Sequence, residues 1–363
     1  MAVESYRLRV SEVIEETADA RSVVFEVPAE LQETFAYTPG QFLTVAVPSD
    51  QTGLAARCYS LSSSPHSGRH QITVKRTVGG YASNWICDNV KVGDTLRLLP
   101  PSGIFTPKDL NADLLLFGGG SGVTPVISIA RTALEKGSGK VVLFYANRDE
   151  KSVIFAAELT ALAAEHADRF TVVHWLESVQ GLPSQEQLSQ FASYFSEFTS
   201  FVCGPAPFMK SVTTALKELG FPRERRHQEK FVSLGGNPFG DVEEVLAAQA
   251  VLAAVDDGDE PEDASEPVFA GPVALEVELD GQQYTFDDWT GQQVLLEFLE
   301  SKGVEAPFSC REGNCSACAC VVLEGELSMK HNEVLEADDL ADGIRLTCQA
   351  LPVTEKLRIS YNG

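Results

Sequence analysis

Four cysteines carry the most specific chemistry in the sequence. Cys310, Cys315 and Cys318 stand at C-x4-C-x2-C spacing, and Cys348 follows after a long gap, which is the spacing that holds a plant-type [2Fe-2S] cluster. Each ferric ion needs two protein sulfurs besides the bridging sulfides, and a tight loop lets one segment supply three of the four. Gly313, Ser316 and Ala317 are small enough for backbone amides to approach the sulfurs. A four-cysteine zinc knuckle would use paired C-x2-C units instead of a lone distant fourth residue. Cys320 opens the strand-like run CVVLEG and is expected in the core, as is Cys87 as a small buried hydrophobe. Clustering of this kind reads as metal binding and not as a disulfide framework.

A second group of residues could hold a flavin. Arg57-Cys58-Tyr59-Ser60 ends a strand-like run; an arginine can neutralise a pyrophosphate, a tyrosine can stack on an isoalloxazine ring, and a serine hydroxyl can reach the flavin nitrogen. Val74-Lys75-Arg76 and the turn Gly79-Gly80-Tyr81-Ala82-Ser83 follow, with the glycines ahead of a helix N-terminus whose amides can bind phosphate. Gly118-Gly119-Gly120-Ser121-Gly122-Val123-Thr124-Pro125 comes after the apolar strand DLLLF and opens a helix, the context that makes a glycine loop credible as a dinucleotide site. Further on, Asn147-Arg148 follows the second strand of that unit, where an acid would have pointed to the ribose hydroxyls of NAD. On chemistry alone this arginine leaves NADPH open.

The elements that must position these residues fall into three segments. Residues 1–110 read as short strands with turn punctuation and one helix, ASNWICDNV, which predicts an antiparallel β-barrel or sandwich. Residues 111–234 alternate apolar strands with helical stretches, the pattern of an α/β domain with a parallel sheet. Residues 235–271 contain DDGDEPEDASEP, an acidic composition that favours an extended, mobile linker. Residues 272–363 begin with a hairpin, VALEVELDGQQYTF, and a helix, VLLEFLESKG, that lead into the cysteine cluster, an α+β arrangement. At 363 residues with 44% hydrophobic content the chain can bury several cores. A formal charge of -24 repels phosphate backbones and anionic membranes, so neither nucleic acid nor membrane is expected as a partner. The N-terminus shows no signal pattern and no apolar run approaches bilayer length, so a cytoplasmic protein, working as a monomer, is expected.

Taken together, Arg57-x-Tyr59-Ser60, the G-x-G-x-x-P loop from Gly120 to Pro125, and Cys203-Gly204-Pro205 occur in the order found in the ferredoxin-NADP reductase superfamily, which the chain resembles over nearly its whole length. With the C-terminal plant-type ferredoxin module, a β-grasp fold in that family, it is similar to oxygenase reductases. The strings ARCYSLSSSP, VKRTVGGYASNW, HWLESVQGLPS and APFSCREGNCSACAC most resemble the family of reductases serving 3-ketosteroid 9α-hydroxylases, which act in steroid catabolism. The reductases of phenylacetyl-CoA epoxidation share several of these strings.

The resemblance implies FAD, NADH and a Rieske non-haem iron oxygenase as electron acceptor; FMN would place the chain nearer the phthalate dioxygenase type. It assigns Arg57, Tyr59 and Ser60 to the flavin, and Val74, Lys75, Arg76, Gly80, Ala82 and Ser83 to its phosphates or adenosine half. Gly120, Thr124, Pro125, Cys203, Gly204 and Pro205 would form the nicotinamide site, with Ser60 and Cys203 at the reacting centre. His227-Gln228-Glu229-Lys230-Phe231 resembles the family's His-x-Glu-x-Phe string, in which the aromatic, here Phe231, covers the flavin face opposite the tyrosine. Hydride transfer between stacked rings needs distance control and no acid–base dyad. A redox-sensing or electron-carrier module is the rival class, and the intact flavin and nicotinamide motifs count against it.

Overall fold

The computed structural model describes residues 5–49, 53–231, 238–239, 269, 271–279 and 281–361. Among these, three principal sheets build three units. The first contains β1 (Tyr6–Thr17), β2 (Ala20–Glu26), β3 (Phe42–Ser49), β4 (Gly53–Ser60), β5 (His70–Lys75), helix α1 (Ala82–Asn89) and β6 (Thr95–Leu98). Its six strands run antiparallel in the order β4-β3-β6-β1-β2-β5. A bridge from Leu61 to Ile72 brings the end of β4 back to β5 and closes the sheet on itself, which removes the exposed edges an open sheet would carry. Leu8, Val10, Val23, Leu43, Val45, Leu61 and Ile72 fill the interior.

The second unit holds β7 (Leu114–Gly119), α2 (Val123–Lys136), β8 (Val141–Asn147), α3 (Ala156–Glu165), β9 (Phe170–Leu176), α4 (Glu177–Gln180), α5 (Gln185–Ala192), β10 (Thr199–Cys203), α6 (Ala206–Glu218) and β11 (Arg226–Glu229). The parallel order is β11-β10-β7-β8-β9. Side chains alternate across a strand, and both faces of this sheet are covered, so β7 must be apolar at every position. Leu114 and Leu116 pack with α2 on one side, whereas Leu115 and Phe117 pack with α5 and α6 on the other. Connections leave β7 toward β8 on one side and toward β10 on the other. Ligands of such sheets sit at this reversal, outside the carboxyl ends of the strands.

The third unit comprises β12 (Val273–Leu279), β13 (Gln282–Trp289), α7 (Leu295–Ser301), β14 (Ala319–Glu324), β15 (Leu327–Met329), α8 (Ala337–Ala341), β16 (Ile344–Leu346), β17 (Ala350–Pro352) and β18 (Lys356–Ser360). The mixed sheet β13-β12-β18-β14-β16 cradles α7, whose Leu295, Leu296, Phe298 and Leu299 share one core with Leu275 and Val277 of β12. Most of the acidic linker expected over 235–271 lies outside the described residues. Two of its described residues are anchored: Phe239 is buried beneath Arg97, and the Phe269 amide donates to the Pro352 carbonyl at 2.8 Å. Among the described residues no helix is long and apolar enough to cross a membrane.

Candidate redox site

The cysteine loop lies between α7 and β14. Cys310, Cys315, Cys318 and Cys348 are all buried, and the Cys315 thiol lies 3.1 Å from the Cys310 sulfur. Cys348 contacts both Cys310 and Cys318 through its thiol. The loop's amides turn inward: Glu312 and Asn314 N–H donate to Cys310 Sγ at 3.4 and 3.3 Å, and Cys310 N–H donates to Cys315 Sγ at 3.4 Å. Thiol donors, then these amides, hold Cys310 well below the usual thiol range. A sulfur surrounded by donors is one prepared to carry negative charge. The four buried sulfurs lie together, with Cys315 and Cys348 both against Cys310 and Cys348 also against Cys318, and this donor set fits a [2Fe-2S] cluster.

Two further residues shape this loop: Arg311, to which the sequence motifs assign no role, and Gly313, which the sequence marks only by its small size. Arg311 adopts φ 62°, is buried, pairs with Glu300 on α7 and lies over the Phe308 ring at 4.0 Å, while its carbonyl accepts from Gln349 Nε2 at 2.8 Å. Gly313 also has positive φ, 75°, and a Cβ there would stand 2.6 Å from the His331 carbonyl oxygen. Only glycine permits that approach. Cys320 is buried in the third unit's core beside Leu346 and Ile359, and burial raises its thiol far above the usual range.

Strand β4 carries the flavin candidates and divides them between two faces. Arg57 and Tyr59 alternate with Ala56, Cys58 and Ser60, as the period of a strand requires. Tyr59 packs against the barrel core, and Arg57 Nη1 donates to the Ala56 carbonyl at 2.6 Å. Ala56 and Cys58 pack instead, with Phe42, Ala46 and Leu99, against Cys310 and Cys315 of the third unit. The buried hydroxyls of Thr44 and Ser309 hydrogen-bond across this junction, and Cys58 Sγ lies 3.8 Å from the Ser309 hydroxyl. Strand β4 and the cysteine loop are thus in contact.

The other assigned residues occupy distinct positions. Val74 is fully buried in the barrel, so only its backbone is available to a cofactor. Lys75 Nζ lies 3.8 Å from Asp19 and 4.0 Å from where a Cβ on Gly120 would sit, so it reaches the second unit's glycine loop. Arg76 turns to Asp88 at 2.6 Å and Asn84 on α1. The Ser83 hydroxyl accepts from the Thr77 N–H at 3.0 Å and, with Gly80 N–H donating to the Thr77 carbonyl, closes the turn ahead of Ala82 at the start of α1.

In the second unit, Gly120 (φ 54°) and Gly122 bend the chain from β7 into α2, where Thr124 Oγ1 donates to the Ser121 carbonyl at 3.0 Å and Pro125 occupies the first turn. A Cβ on Gly122 would lie 2.3 Å from the Cys203 carbonyl oxygen, and one on Gly204 would lie 3.0 Å from Gly119. The two loops after β7 and β10 are therefore pressed together, with Pro205 leading into α6. The exposed Arg148 guanidinium donates to Asp149 at 3.0 Å, and Asp149 also accepts from the Ser152 N–H. The arginine thus already has an anionic partner, and an acid does follow β8, one residue beyond Arg148.

Glu229 is a site residue to which the sequence motifs assign no role. Parallel register pairs it with Cys203, which itself pairs with Gly118, so the three mark the carboxyl ends of adjacent strands. Ser60 Oγ donates to Glu229 Oε2 at 3.4 Å, joining the barrel to the second unit. Burial lifts the Glu229 carboxyl to about 8, and the Ser60 hydroxyl offsets part of that rise. Burial, then the nearby Glu229, also pushes the Cys203 thiol well above its ordinary range. His227, two residues before Glu229 on the same strand face, stacks on Phe201 at 4.6 Å, and burial brings it down to about 4. Phe231, two residues beyond, is half exposed. A cavity of about 590 Å³ opens beside Ser60, Glu229 and Phe231 and reaches Cys315 and Ser316, a volume within the range of cofactor sites. Of the residues assigned to the flavin, this cavity is lined by Ser60 and Phe231 but not by Arg57, Tyr59, Lys75, Gly80 or Ser83.

The Glu229 carboxyl titrates near 4.5 when unfolded and near 8 in the fold, so folding takes up a proton between those values and stability falls as pH rises through that window. Glu229→Gln is expected to raise Tm by several degrees at pH 9 and to leave it nearly unchanged at pH 5. Equal shifts at both pH values, measured by scanning fluorimetry, would show that the carboxyl is not buried as a neutral acid.

Comparison with known proteins agrees with this architecture. Three family models match: an oxidoreductase FAD-binding domain over residues 7–106, an oxidoreductase NAD-binding domain over 116–214, and a 2Fe-2S iron-sulfur cluster binding domain over 277–353. The chain is 53% identical to the 3-ketosteroid-9-alpha-monooxygenase ferredoxin reductase component of Rhodococcus rhodochrous, covering 98% of this chain and 96% of the relative. It is 30% identical to one subunit of the 1,2-phenylacetyl-CoA epoxidase of Escherichia coli, covering 98% of both. Phthalate dioxygenase reductase shares the fold over 98% of both chains, at 24% identity and a TM-score of 0.54. The chain is an NADH oxidoreductase with FAD-binding, NAD-binding and [2Fe-2S] domains, and it belongs to the family of ferredoxin reductase components of oxygenase systems that includes the 3-ketosteroid-9-alpha-monooxygenase reductases.

Proposed function

We propose that this reductase takes electron pairs from NADH and delivers them singly to a Rieske-type non-haem iron oxygenase that hydroxylates 3-ketosteroids at the 9α position. When bound, the nicotinamide supplies an electron pair, the FAD divides it, and the cluster carries one electron at a time. The observation that carries this reading is the double use of β4: Arg57, Tyr59 and Ser60 lie on the strand whose Ala56 and Cys58 pack against the loop of Cys310 and Cys315.

In this reading Arg57, Tyr59 and Ser60 hold the flavin, Phe231 covers its other face, and Lys75, Gly80 and Ser83 lie toward its phosphates. Gly120, Thr124, Pro125, Cys203, Gly204 and Pro205 seat the nicotinamide, and the neutral Cys203 thiol supplies a small uncharged wall. Cys310, Cys315, Cys318 and Cys348 hold the cluster. Glu229 keeps a proton beside Ser60 at neutral pH. The working divisions are 1–110, 111–234 and 272–363, and the protein acts as a cytoplasmic monomer.

The 53% identity to a steroid-system reductase, against 30% to the phenylacetyl-CoA epoxidase component, supports the steroid reading over its competitor. Reconstitution tests it: with NADH and a purified 3-ketosteroid 9α-monooxygenase oxygenase, the protein should support 9-hydroxylated product. Support of phenylacetyl-CoA epoxidation alone would transfer it to the second system.

A further inference from the structure

Two kinds of contact hold the third unit against the others. Toward the second unit they are ionic: Asp338 pairs with Lys217 at 3.1 Å and Arg226 at 3.4 Å, and Arg223 pairs with Asp339 and Asp342. Side chains this long follow one another through small rotations, so such pairs attract without fixing a position. Toward the first unit the contact is short and apolar, with Phe42, Ala46 and Leu99 packed against Cys310, Cys315 and Ala317. Apolar attraction is non-directional, and by itself this surface would accept the cysteine loop in several neighbouring positions.

A buried polar cluster interrupts that apolar surface. Thr44 on β3 stands opposite Cys58 on β4, and cross-strand partners share a face. The Thr44 and Ser309 hydroxyls hydrogen-bond to each other, and Cys58 Sγ lies 3.5 Å from the first and 3.8 Å from the second. Thr44 and Ser309 are each 1% exposed, so water cannot stand in for a lost partner. Both ends of the bond are anchored: the Thr44 carbonyl accepts from the Leu99 N–H at 3.0 Å, and Ser309 is bonded directly to Cys310. Phe239, which follows the second unit in the chain, is buried in the same junction with the Arg97 guanidinium over its ring at 5.3 Å.

We propose that Thr44 and Ser309, with Cys58 beside them, are positioning residues that fix the cysteine loop in one register on β3 and β4 and thereby set the span an electron must cross from flavin to cluster. A shift of the loop along the strands would keep the apolar contact and leave two buried hydroxyls without partners, which penalises every other register. A buried polar pair inside apolar packing gives up some stability for a unique arrangement. Electron transfer weakens steeply with distance, so a fixed register becomes a fixed rate. The proposal rests on the reading that a flavin held on β4 reduces the cluster, and it is independent of which oxygenase the cluster serves.

Rapid mixing of the full-length, cofactor-loaded protein with NADH tests it, because flavin reduction and cluster bleaching are seen separately. Thr44→Val keeps the side-chain shape and removes the hydroxyl; it should slow cluster bleaching about tenfold and leave the rate of flavin reduction and the cluster's midpoint potential unchanged. Thr44→Ser should restore bleaching to within about threefold of wild type. Ser309→Ala should match Thr44→Val, and the double variant should be no more than about threefold slower than either, since one bond is lost in all three. Hydrogen exchange in Thr44→Val should quicken in the cysteine loop and in β4, and stay as in wild type in β7 and β8. Wild-type bleaching in Thr44→Val overturns the proposal, as does a double variant that returns to the wild-type rate, because the junction would then find its register without the bond. Losses that multiply to about a hundredfold in the double variant also overturn it, since the two hydroxyls would be acting separately. A wild-type protein whose flavin is reduced by NADH while its cluster never bleaches would instead overturn the electron-transfer reading itself.

Discussion

Cys318→Ser is expected to abolish the cluster's visible absorbance and to lower NADH-driven cytochrome c reduction more than a hundredfold, while ferricyanide reduction stays within about twofold of wild type. The Cys318 sulfur is buried and in contact with Cys348, and its carbonyl accepts from both the amide and the hydroxyl of Thr347 at 3.1 Å. A serine can keep those backbone contacts but leaves one iron short of a thiolate. The barrel core of Leu8, Val45 and Ile72 shares no residue with the core of Leu275, Leu299 and Ile359, and the junction between the two units is met by Cys310 and Cys315 and not by Cys318, so flavin binding and NADH oxidation should survive. Joint loss of both activities would mean that the units do not fold independently. Cys320→Ser is the control: its buried sulfur belongs to the core, so the iron content should remain that of wild type.

Gly122→Ala should produce the complementary defect. Gly122 has φ -63°, which any residue adopts, so the penalty is purely one of space. An added methyl would meet the Cys203 carbonyl oxygen at 2.3 Å, the carbonyl carbon at 2.4 Å and the Gly204 nitrogen at 2.5 Å, all backbone atoms that no rotamer change can move. The loops after β7 and β10 must separate, and overpacking of this kind costs about 1–3 kcal/mol. A displacement of about 1 Å at a reacting site can cost about a hundredfold in rate, so kcat/KM for NADH should fall by about that factor. FAD content and the cluster spectrum should be unchanged. Steady-state kinetics with near-normal kcat/KM would show that the two loops can part without cost to the nucleotide site.

The strands of the barrel, the alternation of the parallel-sheet unit, the hairpin and helix ahead of the cysteines, and the four clustered sulfurs all leave local periodicity or spacing in the sequence, and all were legible there. What did not show are the contacts between units. Thr44 meets Ser309 across 265 positions, and no pattern near either residue announces the other. Phe239 sits in a stretch whose composition reads as a tether, yet it is buried under Arg97. Glu229 was visible within the His-x-Glu-x-Phe string, and strand alternation places it on the face of His227. Its significance depends on Ser60 arriving from another unit. Arg311 reads as a loop cation, and only the structure shows it buried against Glu300 and Phe308.

The attachment of the cluster domain to the same chain as its ionic partners has a consequence for selectivity inside a cell. A module tethered beside its binding face experiences an effective concentration that is on the order of millimolar. A free ferredoxin at micromolar abundance would meet Lys217, Arg223 and Arg226 already paired with Asp338, Asp339 and Asp342 of the third unit. The flavin's electrons are thereby insulated from the surrounding pool of carriers, and the choice of destination rests with whatever the tethered domain alone can reach.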